Sequence, residues 1–97
     1  MSHNHFDLID RLCARRCQDI GLKTHGLLDL NTDPRDFKAE LCDELLDAIN
    51  YTNWAMARGE ILQDVGQGIV WCLKNILWCH VLPKNYQDNG IIDGKPA

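Results

Sequence analysis

The chain reads as all-α: two to three amphipathic helices, at about residues 6–20, 34–58 and 60–82, forming a helical hairpin or bundle that oligomerisation completes, with a loosely held tail over 84–97. Three observations predict this. Apolar residues recur at steps of three and four in each segment, the spacing of one face of an α-helix. The breaks between segments carry Gly21, Gly26, Pro34, Gly59 and Pro83. Ninety-seven residues make a single domain with a thin core. A chain of this size buries only about 60–65% of the surface its unfolded form exposes, so association with copies of itself is expected.

In the first helix Phe6, Ile9, Leu12, Cys13, Cys17 and Ile20 form the apolar stripe, with Arg11, Arg15 and Asp19 between them. Residues 21–32 hold two glycines and no sustained period, which marks an ordered connection. Asp33-Pro34-Arg35-Asp36 then resembles a helix start, with Asp33 as N-cap, Pro34 at the first helical position and Asp36 at the third. The second helix stops near Gly59, a common C-cap residue. Its expected core stripe is Phe37, Leu41, Leu45, Ala48, Thr52 and Ala55, widened by Cys42, Ile49 and Met56. The third helix has Leu62, Val65, Ile69, Cys72, Leu73, Ile76 and Cys79 in register, is weakened locally by Gly66 and Gly68, and ends at Pro83. The tail, with Asn89-Gly90 and Asp93-Gly94, is turn-rich.

Charge narrows the function classes. Fourteen acidic against ten basic side chains leave a net charge of −4, which argues against DNA or RNA as partners, since phosphate backbones are bound by clustered Lys and Arg. No uncharged run approaches the roughly 20 residues of a bilayer span. The N-terminus lacks a secretory h-region, so a cytoplasmic location is expected. The five cysteines are then reduced and act as small hydrophobes. Cys13 with Cys17, and Cys79 with His80, lack the paired CxxC spacing of structural zinc. His3 and His5 lie at a free end, and Gly66-Gln67-Gly68 lacks the remainder of a phosphate loop.

The acidity is concentrated. Residues 1–35 and 61–97 are each balanced, whereas residues 36–60 hold Asp36, Glu40, Asp43, Glu44, Asp47 and Glu60 against Lys38 and Arg58. With Glu40 at zero on a helical wheel, Glu44 falls at about 40°, Asp47 at about 340°, Tyr51 at about 20°, Trp54 at about 320° and Arg58 at about 0°. Asp43 and Asn50 flank the same side. Like charges at this spacing repel by a few tenths of a kcal/mol per pair, about what an isolated helix shows. A hard divalent cation would satisfy them, because Mg²⁺ is commonly held by one or two carboxylates together with water and substrate phosphates. The competing explanation is a solvated face with no ligand.

From Gly21-Leu22-Lys23-Thr24-His25-Gly26 through Glu44-Leu45-Leu46-Asp47-Ala48-Ile49-Asn50-Tyr51, with Asn31-Thr32-Asp33-Pro34-Arg35-Asp36 between, the chain resembles the small, phage-type MazG-like members of the all-α NTP pyrophosphatase superfamily. The likeness covers roughly residues 11–58. It implies Mg²⁺- or Mn²⁺-dependent cleavage of a nucleoside triphosphate to monophosphate and pyrophosphate in a homo-oligomeric helical bundle. Glu44 and Asp47 match the family's ExxD pair, which implies catalytic metal ligation there, with Glu40 and Asp43 as further metal ligands. The family's separate ExxE on the preceding helix has no counterpart: the first helix offers Asp7 and Asp10. A second acidic pair, Glu60 and Asp64, lies beyond the far end of the second helix, about 21 Å along the axis from Glu44 to Arg58, where a neighbouring subunit would have to bring it in.

For the nucleotide itself, Tyr51 and Trp54 are candidates to stack on the base, Arg58 to meet a phosphate, and Lys23 and His25 to contact the substrate from the glycine-bracketed turn. Each has a plainer alternative in packing or a structural hydrogen bond. Trp71 and Trp78, seven apart around Lys74, suggest a subunit interface or core packing. Two other function classes stay open. One is a phage-type protein that binds and sequesters a nucleotide or cyclic nucleotide without cleaving it, with Thr52-Asn53-Trp54-Ala55-Met56-Ala57-Arg58 faintly similar to the NAAIAR-like helix of such proteins. The other is an acidic helical module that docks on a basic protein.

Overall fold

A computed structural model describes residues 2–21, 29–89, 91–92 and 95–96. Among the described residues the fold is all-α apart from one two-residue antiparallel pairing near the C-terminus. The chain separates into two compact units, Met1–Pro34 and Arg35–Ala97.

In the first unit α1 spans Ser2–Arg16 and widens into a π-helical turn over Cys17–Gly21. Arg15 and Arg16 stand in its last turn, where cations suit the negative end of the helix dipole. The helix starts four residues before the apolar period does. Phe6, Ile9 and Leu12, expected to be inward-facing, are exposed. Asp29 organises the following turn: its carboxylate accepts from the Asn31 amide at 3.0 Å and its carbonyl from the Asp33 amide at 2.9 Å. This is the Asx-turn chemistry that makes Asp a turn former.

The second unit is built on a hairpin. Helix α2 spans Phe37–Ala57. Its N-cap is Asp36, whose carboxylate accepts from the Lys38 and Ala39 amides at 3.0 and 3.1 Å. The helix therefore begins three residues later than the Asp33-Pro34 pattern predicts. Position 36 is where a side-chain oxygen reaches the amides two and three residues on, which is what an N-cap requires. At the other end Gly59 takes φ of 75°, a left-handed conformation, and its amide bonds to the Met56 carbonyl. That is the glycine-closed helix end the sequence indicates.

Helix α3 spans Gln63–Ile76 and continues as a π-helical turn over Leu77–Val81 that ends before Pro83. The Leu82 amide bonds to the Leu77 carbonyl at 2.7 Å, the longer i to i−5 reach of a π-turn. A short helix α4, Lys84–Asn89, follows, then β1, Ile91–Ile92, paired with β2, Lys95–Pro96. The Gln87 side-chain amide donates to the carbonyls of Trp78 and Leu82 at 2.7 and 3.2 Å. It thereby satisfies helix-end acceptors that have no partner within the helix.

The seam between α2 and α3 lies within the expected stripe of α2 but, Leu73 apart, off that of α3. On α2 it runs through Cys42, Leu45, Ile49, Thr52 and Met56, a three-four-three-four spacing; Cys42 is buried and the others half-buried. Phe37 and Leu41 are exposed, because a single partner helix covers a narrower stripe than the sequence offers. On α3 the buried positions are Gly66, Val70, Leu77 and Val81, with Leu73 half-buried. Leu62, Val65, Ile69, Cys72, Ile76 and Cys79 are exposed instead. The cause of the shift is Gly66. A β-carbon there would collide with Cγ and Sδ of Met56, so the missing side chain lets α3 lie against α2 along that line. At the other end of the seam Cys42, Leu77 and Val81 form the buried cluster, flanked by Leu45, Ile49 and Leu82.

Candidate functional site

Glu40, Asp43, Glu44, Asp47, Tyr51 and Trp54 all lie on α2, and all are exposed. The stripe of Glu40, Glu44, Asp47, Tyr51 and Trp54 falls on the side opposite the seam. That follows from the wheel, on which the seam residues centre about 160° away from Glu40. The helix thus presents its packing surface to α3 and its charge to water. The rings of Tyr51 and Trp54 meet edge to face, with centroids 5.4 Å apart and planes at 89°. Offset and T-shaped pairs of this kind are the favoured aromatic geometry.

Arg58 stands one residue past the end of α2. Its guanidinium pairs with the Glu60 carboxylate at 3.2 Å, both side chains being well exposed. An exposed pair of this kind contributes between about 0 and 1 kcal/mol and opens easily to another anion. Asp64 lies in the first turn of α3, where a carboxylate offsets the positive helix end, so its position has a structural account of its own. Asp7 and Asp10 sit on α1, in the other unit. Lys23 and His25 lie outside the described residues.

The carboxylates are aligned rather than convergent. Among the described residues no three His, Cys, Asp or Glu side chains come together as a metal-ligand set. A divalent ion on this face would therefore be held by one or two carboxylates and completed by phosphate oxygens and water, the usual arrangement for Mg²⁺.

A second feature lies beside the seam. Asn53 and Met56 of α2 and Gln67, Val70, Trp71 and Lys74 of α3 line an open hollow of about 240 Å³. Periodicity alone misses it, because its walls come from two helices whose register depends on Gly66. Trp71 and Trp78 are both exposed. Of the five free cysteines only Cys42 is buried; burial and the neighbouring Asp43 carboxylate hold its thiol pKa above the ordinary value. No helix among the described residues is long and apolar enough to cross a membrane. No family model, curated protein or solved structure matches the chain.

Proposed function

We propose that the chain acts on nucleoside triphosphates through the outer face of α2, releasing monophosphate and pyrophosphate with the help of Mg²⁺ or Mn²⁺. The observation that supports this is the division of α2. Glu40, Glu44 and Asp47 lie together on the side that the hairpin does not use for packing. A run of like charges costs stability, and of these three only Glu40, in the first turn of α2, is offset by the helix dipole. Glu44 and Asp47 are the pair that would hold the ion, with Glu40 and Asp43 one turn away or adjacent. Tyr51, Trp54 and Arg58 continue the same stripe toward the hairpin link, which suits a base and a phosphate.

The experiment is incubation with a panel of canonical, modified and cyclic nucleotides in Mg²⁺, Mn²⁺ or EDTA, with products read by mass spectrometry. Metal-dependent appearance of monophosphate and pyrophosphate, lost in Glu44→Gln, is the expected result. Turnover by Glu44→Gln at the wild-type rate would refute the site.

A second function, sequestration without cleavage, is favoured by one observation: the exposed edge-to-face pair of Tyr51 and Trp54 lies one turn before Arg58, whose backbone amide bonds to the Trp54 carbonyl. An aromatic platform and a cation bind a nucleotide without metal. Intact nucleotide recovered with the protein in EDTA, together with a raised melting temperature, distinguishes this case.

A further inference from the structure

We propose that the hollow between α2 and α3 is a binding site for a planar aromatic ring that carries one anionic group. The inference does not depend on the nucleotide reading of the outer face. Gln67, Val70, Trp71 and Lys74 follow at steps of three, one and three, so they share one face of α3, and Asn53 and Met56 meet them from α2. The floor is apolar: Val70 is buried and Met56 half-buried, on the line where Gly66 lets the helices close. The rim is polar and open, with Asn53, Gln67 and Lys74 around the exposed indole of Trp71.

Three features of the rim select the ligand. The first is charge. No Asp or Glu lines the hollow, so Lys74 is its single charge, and among the described residues Lys74 makes no ion pair, whereas Arg58 is paired with Glu60. The second is free hydrogen-bonding capacity. The side chains of Gln63 and Asn75 donate to the Met56 and Trp71 carbonyls at 3.5 and 2.7 Å, whereas those of Asn53 and Gln67 have no partner among the described residues. The third is the ring itself. Trp71 is 66% exposed, and unlike Tyr51 and Trp54 it meets no other aromatic ring among the described residues. An ammonium takes an anion, an indole face takes a flat ring, and two amides can both donate to and accept from the polar edge of that ring.

Size and charge number exclude other occupants. At about 240 Å³ the hollow is smaller than the roughly 300–1,000 Å³ of pockets for drug-sized ligands, so it suits one ring or two fused rings with the acid at the rim. A purely apolar occupant would desolvate Lys74, Asn53 and Gln67 without giving them partners. A nucleic acid or an acidic polypeptide would bring many charges to a site that offers one. On the wheel Asn53 stands about 120° around α2 from Asp47, so the hollow is turned away from the carboxylate stripe that would repel the same anion. An aromatic carboxylate and a nucleoside monophosphate share the required chemistry.

The test is titration of the isotope-labelled full chain with quinaldate, with its neutral carboxamide, and with adenosine monophosphate in EDTA, following the indole N–H signals of Trp54, Trp71 and Trp78 by NMR. Trp71→Phe removes one signal and so assigns it. Quinaldate, adenosine monophosphate or both are expected to shift the Trp71 signal saturably, with a dissociation constant on the order of 1 mM for a ligand of this size; which of them does so names the source of the anion. The carboxamide, and either anion on Lys74→Gln, are expected to bind at least about fivefold more weakly. Lys74 is exposed, so that variant is expected to keep the helical circular dichroism of the wild type. Equal binding of the neutral carboxamide, or undiminished binding by Lys74→Gln, would overturn the inference. So would a shift centred on Trp54, or none at Trp71 with either anion at about 10 mM, ten times the expected constant.

Discussion

The side of α2 turned to α3 carries Cys42, Leu45, Ile49, Thr52 and Met56, whereas the side turned away carries Glu40, Glu44, Asp47, Tyr51 and Trp54. The two sides run the same length of one helix and share its backbone, yet they answer to different demands. On the seam side shape decides: Cys42 is buried, Thr52 turns its hydroxyl back to the Ala48 carbonyl at 2.7 Å, and Met56 fills the space that Gly66 vacates. On the outer side the residues are exposed and apart from the Tyr51–Trp54 pair no contact constrains them, so side-chain volume matters less and charge dominates the surface. Stability and ligand chemistry are therefore separable on this helix, and substitutions sort by side.

The largest test of that separation is Leu77→Ala. Leu77 is 5% exposed and sits in the cluster with Cys42 and Val81; its truncation is expected to cost about 3 kcal/mol by urea denaturation. Next is a contrast between two glycines two residues apart, on opposite sides of α3. Gly66→Ala places a methyl group against Met56 and is expected to cost about 1–2 kcal/mol, moderated by the flexibility of that side chain. Gly68→Ala meets nothing within 4 Å and is expected to stabilise by about 0.5–1 kcal/mol through helix propensity alone. Equal effects at the two positions would break the assignment of the seam. Asp36→Ala removes the side chain that accepts from two amides, with an expected loss of about 1 kcal/mol. Smallest is Glu44→Gln, expected to stay within about 0.5 kcal/mol of wild type because it is exposed and outside the seam. A loss above about 1 kcal/mol would mean that the outer face carries structure after all.

Helix type, the end of α2 at Gly59 and the stop before Pro83 were legible in the sequence because each rests on local chemistry. The acidic face was legible too, since charge recurring at three and four shows on a wheel whatever the helix packs against. The start of α2 was not: Asp33 and Asp36 both flank Pro34, and only the hydrogen-bond geometry picks Asp36 as the cap. The face of α3 was misjudged for a deeper reason. Gly66 looks like a weak point in one helix, but its role depends on Met56 in another, so the contact line through Gly66, Val70 and Leu77 is a property of the pair. The apolar residues displaced from that line, Val65, Ile69 and Ile76, are the ones left exposed.

The hairpin also sets an order of events in folding. Its two helices are joined by the few residues between Ala57 and Gln63, with Gly59 already shaped for the turn. Closing a loop that short costs little entropy, so Met56 and Gly66 meet early. The opposite end, where Cys42 meets Leu77 and Val81, closes the longest stretch of chain and depends on a wider turn than the rest of α3. The two helices thus zip from the link outward, with contacts local enough for microsecond-to-millisecond folding. The π-turn, at the end farthest from the link, is expected to engage last.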